Sequence, residues 1–140
     1  MVDLHLGRDW RCSAEGADTI CRPVGSLDEL KKVIIWSAKE KGPNDSLENY
    51  RQHLSEIKKW KSKFLNVTSV PISSRIVNLN GRDWVDAVQF NSEVRNYTTR
   101  YLATVTENRA ILVTLSARKE SFKDFERELQ PNIDGLVLHP

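Results

Sequence analysis

An α+β fold, with a curved and mainly antiparallel sheet flanked by helices, follows from three observations. From about residue 70 to 117, apolar residues recur at period two. Two other segments, starting near Asp45 and Ser121, carry apolar residues at spacings of three and four. Each of those helical stripes has one apolar face that needs covering. A single sheet between the two helices, an α/β/α sandwich, satisfies both.

The first 25 residues are broken by Gly7, Gly16, Pro23 and Gly25. "WRCSA" and "TICRP" read as two short strands joined by the turn "EGAD". The compact run Val33 to Trp36 within "KKVIIWSAKE" is β-branched and predicts a central strand, ended by "KGPND". A helix follows, with Asp45 as its cap and Glu48 as the capping-box partner. Leu47, Tyr50, Leu54 and Ile57 share one face of it, and the stripe extends in phase to Trp60 and Phe64.

Period two then takes over. "ISSRIVNLN" runs into Asn80-Gly81, a hairpin signal. "RDWVDAVQF" places Trp84, Val88 and Phe90 on one face. "NYTTRYLATV" groups Tyr97, Tyr101, Ala103 and Val105, and "TENR" is the next turn. In "AILVTLSA", Ile111, Val113 and Leu115 point one way and Leu112 the other. Four strands with short turns predict an antiparallel meander. The closing helix carries Phe122, Phe125, Leu129, Ile133 and Leu136 on one stripe. The stripe keeps its phase across Pro131, which predicts a kink and not a stop.

A length of 140 residues suits one domain, 1–140, with 1–25 as an N-terminal strand pair. Hydrophobic residues at 39% and charged residues at 29% exclude a disordered chain. The net charge of +2 gives no general argument for nucleic acid. No apolar run approaches the ~20 residues of a membrane-spanning helix. "MVDLHLGRDW" lacks the basic start and apolar stretch of a signal peptide. Either the protein is cytosolic or a leader has been removed, and the expectation here is an exported protein.

The only cysteines are Cys12 and Cys21. Their spacing is not C-x-x-C, and His5, His53 and His139 are too scattered to complete a metal set. Two unlinked thiols remain open, but the predicted hairpin favours a disulfide, which marks an oxidising compartment. The motifs G-x-S-x-G, H-E-x-x-H, G-x-x-x-x-G-K and G-x-G-x-x-G are all missing, so no catalytic, cofactor or metal residue is assigned.

The richest polar segment is "RDWVDAVQFNSEVRNYTTRY". Trp84, Asp86, Glu93, Arg95, Tyr97, Arg100 and Tyr101 form the candidate binding surface, since aromatics and arginine anchor interfaces. For most of these residues the competing description, a sheet with one covered and one wet face, is favoured. Asp86 is anomalous, because strict alternation sets it with Trp84 and Val88 on the apolar face. An edge position, an arginine partner or a bulge would each explain it. Asp83 lies on the opposite face, which argues against a paired-acid site. "KKWKSKF", residues 58 to 64, fits contact with nucleic acid or an anionic membrane. It fits better as a helix C-terminus whose lysines complement the dipole. N-glycosylation patterns occur at Asn44, Asn66 and Asn96, and no site is assigned to them.

The helix "NDSLENYRQHL", the hairpin "IVNLNGRDWVDAVQF", the strands "NYTTRYLATVTENRAILVTLSA" and the helix "SFKDFERELQPNIDGLVL" together resemble the PsbP-like fold family. That family includes photosystem accessory proteins, the Ran-binding Mog proteins and many bacterial extracytoplasmic proteins. The resemblance covers about residues 30–138, and "CSAEGADTIC" is outside it. It implies a non-catalytic binding or assembly module with a protein partner and no cofactor. The expectation is therefore an accessory or protein-interaction module of an exported protein, at a bacterial envelope. An intracellular binding or chaperone-like module of the same fold is the alternative, and an intact disulfide separates the two. A hydrolytic enzyme comes third.

Overall fold

The computed structural model describes residues 2–4, 6–25 and 32–139. Lys31, the first residue of the run quoted for the central strand, lies outside them, as does His5. In chain order the elements are β1 (Val2–Asp3), β2 (Trp10–Glu15), β3 (Asp18–Pro23), β4 (Lys32–Glu40) and α1 (Leu47–His53). Then come β5 (Lys59–Ser62), β6 (Leu65–Thr68), β7 (Val70–Leu79), β8 (Arg82–Phe90), β9 (Tyr97–Val105) and β10 (Arg109–Arg118). Helix α2 (Phe122–Asp134) and β11 (Val137–Leu138) complete the chain.

Seven strands form one sheet in the order β2-β3-β4-β10-β9-β8-β7, antiparallel at every pairing. The meander β7 to β10 is the one the alternation predicts. Asn80 and Gly81 close its first hairpin at φ 53° and 84°, the left-handed values a two-residue turn requires. Asn80 also donates from Nδ2 to the carbonyls of Asp134 and Leu136, at 2.8 and 2.9 Å, which ties the turn to the end of α2.

Alternation sorts the side chains into two cores. Trp84, Leu102, Ile111, Val113 and Leu115 lie on the α2 side and meet Phe122, Phe125, Leu129 and Ile133. Each such fully buried side chain contributes about 1.5–3 kcal/mol. Val85, Ala87, Tyr101 and Ala103 lie on the other side under Leu47, Tyr50 and Leu54 of the α1 region. Helix α2 runs through Pro131 and ends at Gly135, so Leu136 is buried just beyond the helix.

The N-terminal hairpin β2–β3 adds to β4, and Cys12 stands opposite Cys21, to which it is disulfide-bonded. Trp10 stacks on Phe125 with ring centroids 5.9 Å apart, which holds the hairpin to α2.

Two expectations fail around the first helix. Its cap is Ser46, whose Oγ accepts from the Asn49 amide at 3.1 Å. Asp45 instead accepts from the Gly42 amide and the Tyr50 hydroxyl, at 2.6 and 2.7 Å. Those bonds, the amide first, hold its carboxyl below the ordinary value. The helix also stops at His53, and residues 59–68 form the hairpin β5–β6. Ile57 and Phe64 are exposed, so neither extends the apolar stripe, and the lysines sit just before a strand, on it and in its turn, and not at a helix end. The spacing of Ile57, Trp60 and Phe64 mimics a helix, but "KWKS" and "LNVT" also alternate, and cross-strand pairing prevails.

Candidate functional site

Helix α2 covers the β10 side of the sheet and leaves the β7–β8 end of that face open. The opening is a cleft of about 600 Å³. Asp86, Val88, Thr98 and Arg100 line it from the sheet, and Phe122, Lys123, Glu126 and Gln130 from the α2 side. Arg75 and Lys119 complete it as further cations.

Arg100 is the hub. Its Nε and Nη2 donate to Oδ1 and Oδ2 of Asp86 at 2.9 and 2.7 Å, a bidentate pair. Its Nη1 donates to Gln130 Oε1 at 3.1 Å and reaches Glu126 at 3.5 Å. The Asp86 and Arg100 side chains are only 7% and 10% exposed, so this is a buried ion pair and not a surface one. Burial by itself disfavours the guanidinium charge. Asp86 and then Glu126 outweigh it and hold Arg100 above the ordinary arginine value. Of the three explanations for Asp86 on an apolar face, an arginine partner is therefore the right one. The sheet's bulge lies elsewhere, between Pro71 and Ser73.

The opposite face carries a second polar group. The Tyr101 hydroxyl donates to Glu93 Oε1 at 2.7 Å and bonds Ser92 Oγ at 2.6 Å. Burial first, then the bond to Glu93, pushes the phenol above the ordinary tyrosine value. A small pocket of about 220 Å³ adjoins it, with His53, Lys58 and Gln89 on its walls.

The seven residues singled out from sequence do not make one surface. Trp84 is 1% exposed and belongs to the α2 core. Asp86 and Arg100 meet in the cleft, whereas Glu93 and Tyr101 meet on the other face. Arg95 is exposed in the β8–β9 loop and Tyr97 is half-buried at the start of β9. Sequence reasoning missed Arg75, Lys119, Lys123, Glu126 and Gln130. Arg75 had a usable signal: the two-residue Asn80-Gly81 turn fixes the register that sets Arg75 opposite Asp86. Among the described residues, no group of three His, Cys, Asp or Glu is placed to hold a metal ion. Nor is any helix long and apolar enough to cross a membrane.

A scan against protein-family models finds no match. A search of curated proteins also finds none. Solved structures do match. Cyanobacterial PsbP (CyanoP) from Synechocystis sp. PCC 6803 superimposes with a TM-score of 0.67 at 8% identity, over 99% of this chain and 86% of that one. The fold is PsbP-like. LpqN of Mycobacterium tuberculosis, described as involved in cell envelope biogenesis, gives a TM-score of 0.59 at 13% identity, over 99% of this chain and 83% of LpqN. PA94 of Pseudomonas aeruginosa, a protein of unknown function, gives 0.60 at 12% identity, over 94% of this chain and 98% of that one. At these identities the likeness is one of PsbP-like architecture, and the chemistry has to be argued from this chain's own residues.

Proposed function

We propose that this chain is a non-catalytic accessory module of an exported protein, which works at a bacterial envelope by holding a protein partner. The observation that carries this reading is the Asp86–Arg100 pair. Both carboxylate oxygens accept from the one guanidinium, and Gln130 takes a further donor. The central charged groups of the cleft are thus engaged with each other and make a rigid floor for recognition. Proton transfer would need a group aimed at a substrate instead. Around that floor Arg75, Lys119 and Lys123 outnumber Glu126, so the complementary partner segment is acidic. The disulfide supports an oxidising compartment. The envelope role given for LpqN, which shares the fold, supports the same setting.

The test is cross-linked capture from the envelope fraction, comparing the natural chain with an Arg75→Glu/Lys123→Glu variant. The expected result is a protein recovered by the first and lost at least tenfold from the second, at unchanged thermal stability. Equal recovery by both chains would remove the cleft from this reading.

A further inference from the structure

The β5–β6 hairpin places at its tip what most hairpins hide. Its two-residue turn is Lys63-Phe64, and Phe64 is 101% exposed, with Leu65 beside it at 51%. Turns of this kind favour Gly, Asn or Asp, which accept left-handed backbone. The other described residues at positive φ obey that preference: Gly16, Gly25, Asn80, Gly81, Asn91 and Asn96. Lys63, at φ 57°, is the exception. A left-handed residue of this type costs about 1–2 kcal/mol, and such strain persists where the side chains serve a purpose.

The base of the hairpin is fixed while its tip is bare. Trp60 Nε1 donates to the Asn91 carbonyl at 2.7 Å. The Lys58 amide donates to Ser69 Oγ at 2.7 Å, and the Ser69 amide to the Lys58 carbonyl at 2.8 Å. Val67, opposite Trp60, is buried. Pairing parity puts Trp60 and Val67 on the inner face, so Lys59 and Lys61 occupy the outer one. Lys58, Lys59, Lys61 and Lys63 fall between Ile57 and Ser69 with no acidic residue among them.

We propose that this hairpin docks the protein on an anionic bilayer surface, with Phe64 and Leu65 entering the interfacial layer and the lysines facing lipid phosphates. An aromatic tip with lysines along the strand and turn leading to it matches both the apolar boundary and the negative headgroups. The lysine stems can lie along the boundary while their ammonium groups stay in water. Leu65 favours lipid over nucleic acid, because a base stacks on an aromatic ring and gains nothing comparable from an aliphatic chain. The proposal is independent of the cleft.

Co-sedimentation with phosphatidylcholine vesicles, with and without phosphatidylglycerol, tests it. Binding is expected only with phosphatidylglycerol and is expected to fall as salt rises. Phe64→Ser should lose about tenfold or more in affinity, and Phe64→Trp should keep it. Lys59→Glu, Lys61→Glu and Lys63→Glu should each cost about fivefold or more. The thermal midpoints of these tip variants should match that of the natural chain, which separates lost docking from lost folding. No binding to phosphatidylglycerol vesicles at low salt would overturn the proposal. So would full binding by Phe64→Ser, or single-stranded DNA competing the protein off the vesicles.

Discussion

Asp86 sits two residues from Trp84 on a strand face that is otherwise apolar, and Arg100 is what makes it tolerable there. A buried carboxylate without a partner loses its hydration and gets nothing back, so removing one member of such a pair is costly. Arg100→Met is expected to destabilise the fold by about 3 kcal/mol in urea unfolding. Adding Asp86→Leu to that variant should recover most of the loss, because two apolar side chains leave no stranded charge. A double variant as unstable as the single one would show that Arg100 acts through Glu126 and Gln130 instead. The anomaly at Asp86 was legible in the sequence, but its partner was not. Arg100 lies diagonally across from Asp86, opposite Val88, in a register set across the β8–β9 loop. That loop has six residues, Asn91 to Asn96, and no turn signature that fixes a register.

Among the elements, the two hairpins outside the meander contrast in how they are secured. β2–β3 is closed by Cys12–Cys21, a covalent link between strands at the edge of the sheet. The loop it closes is short, and the chain-entropy argument gives roughly 2–3 kcal/mol. Reduction, or a Cys12→Ala/Cys21→Ala change, is expected to lower stability by no more than that and to leave β7–β10 folded. Thermal melts with and without reductant, followed by circular dichroism, would check this; complete unfolding on reduction would contradict it. β5–β6 has no such link and depends on Trp60, Val67 and Ser69. The cysteine hairpin was legible because its turn residues and spacing agreed. β5–β6 was not, because Ile57, Trp60 and Phe64 satisfy a helical period as well as the local alternation satisfies a strand. Only the anchor at Asn91, far along the chain, resolves the ambiguity.

At the scale of the whole molecule, β9 and β10 are paired on both edges, and β9 is buried on both faces. Opening them requires breaking everything else, so their amides should exchange with solvent at rates set by global unfolding. Amides of β2 and of β5–β6 should exchange faster under the same conditions. Uniform protection across the chain in a native-state exchange experiment would contradict this gradient. The meander was legible because its strands alternate and Asn80-Gly81 and "TENR" mark two of its three connections locally. The seam between β4 and β10 was not, since nothing near Trp36 announces that Val113 will lie opposite it. That seam also sets an order in time. During synthesis the ribosome releases β2, β3 and β4 well before β10 exists, and until then β4 has one bare edge and Ile34 has no α2 above it. The early hairpin can pair its own strands first, its bond closing where the surroundings are oxidising, but the sheet can become one body only when nearly all of the chain has emerged. That delay leaves most of the chain slack until its last third has been made.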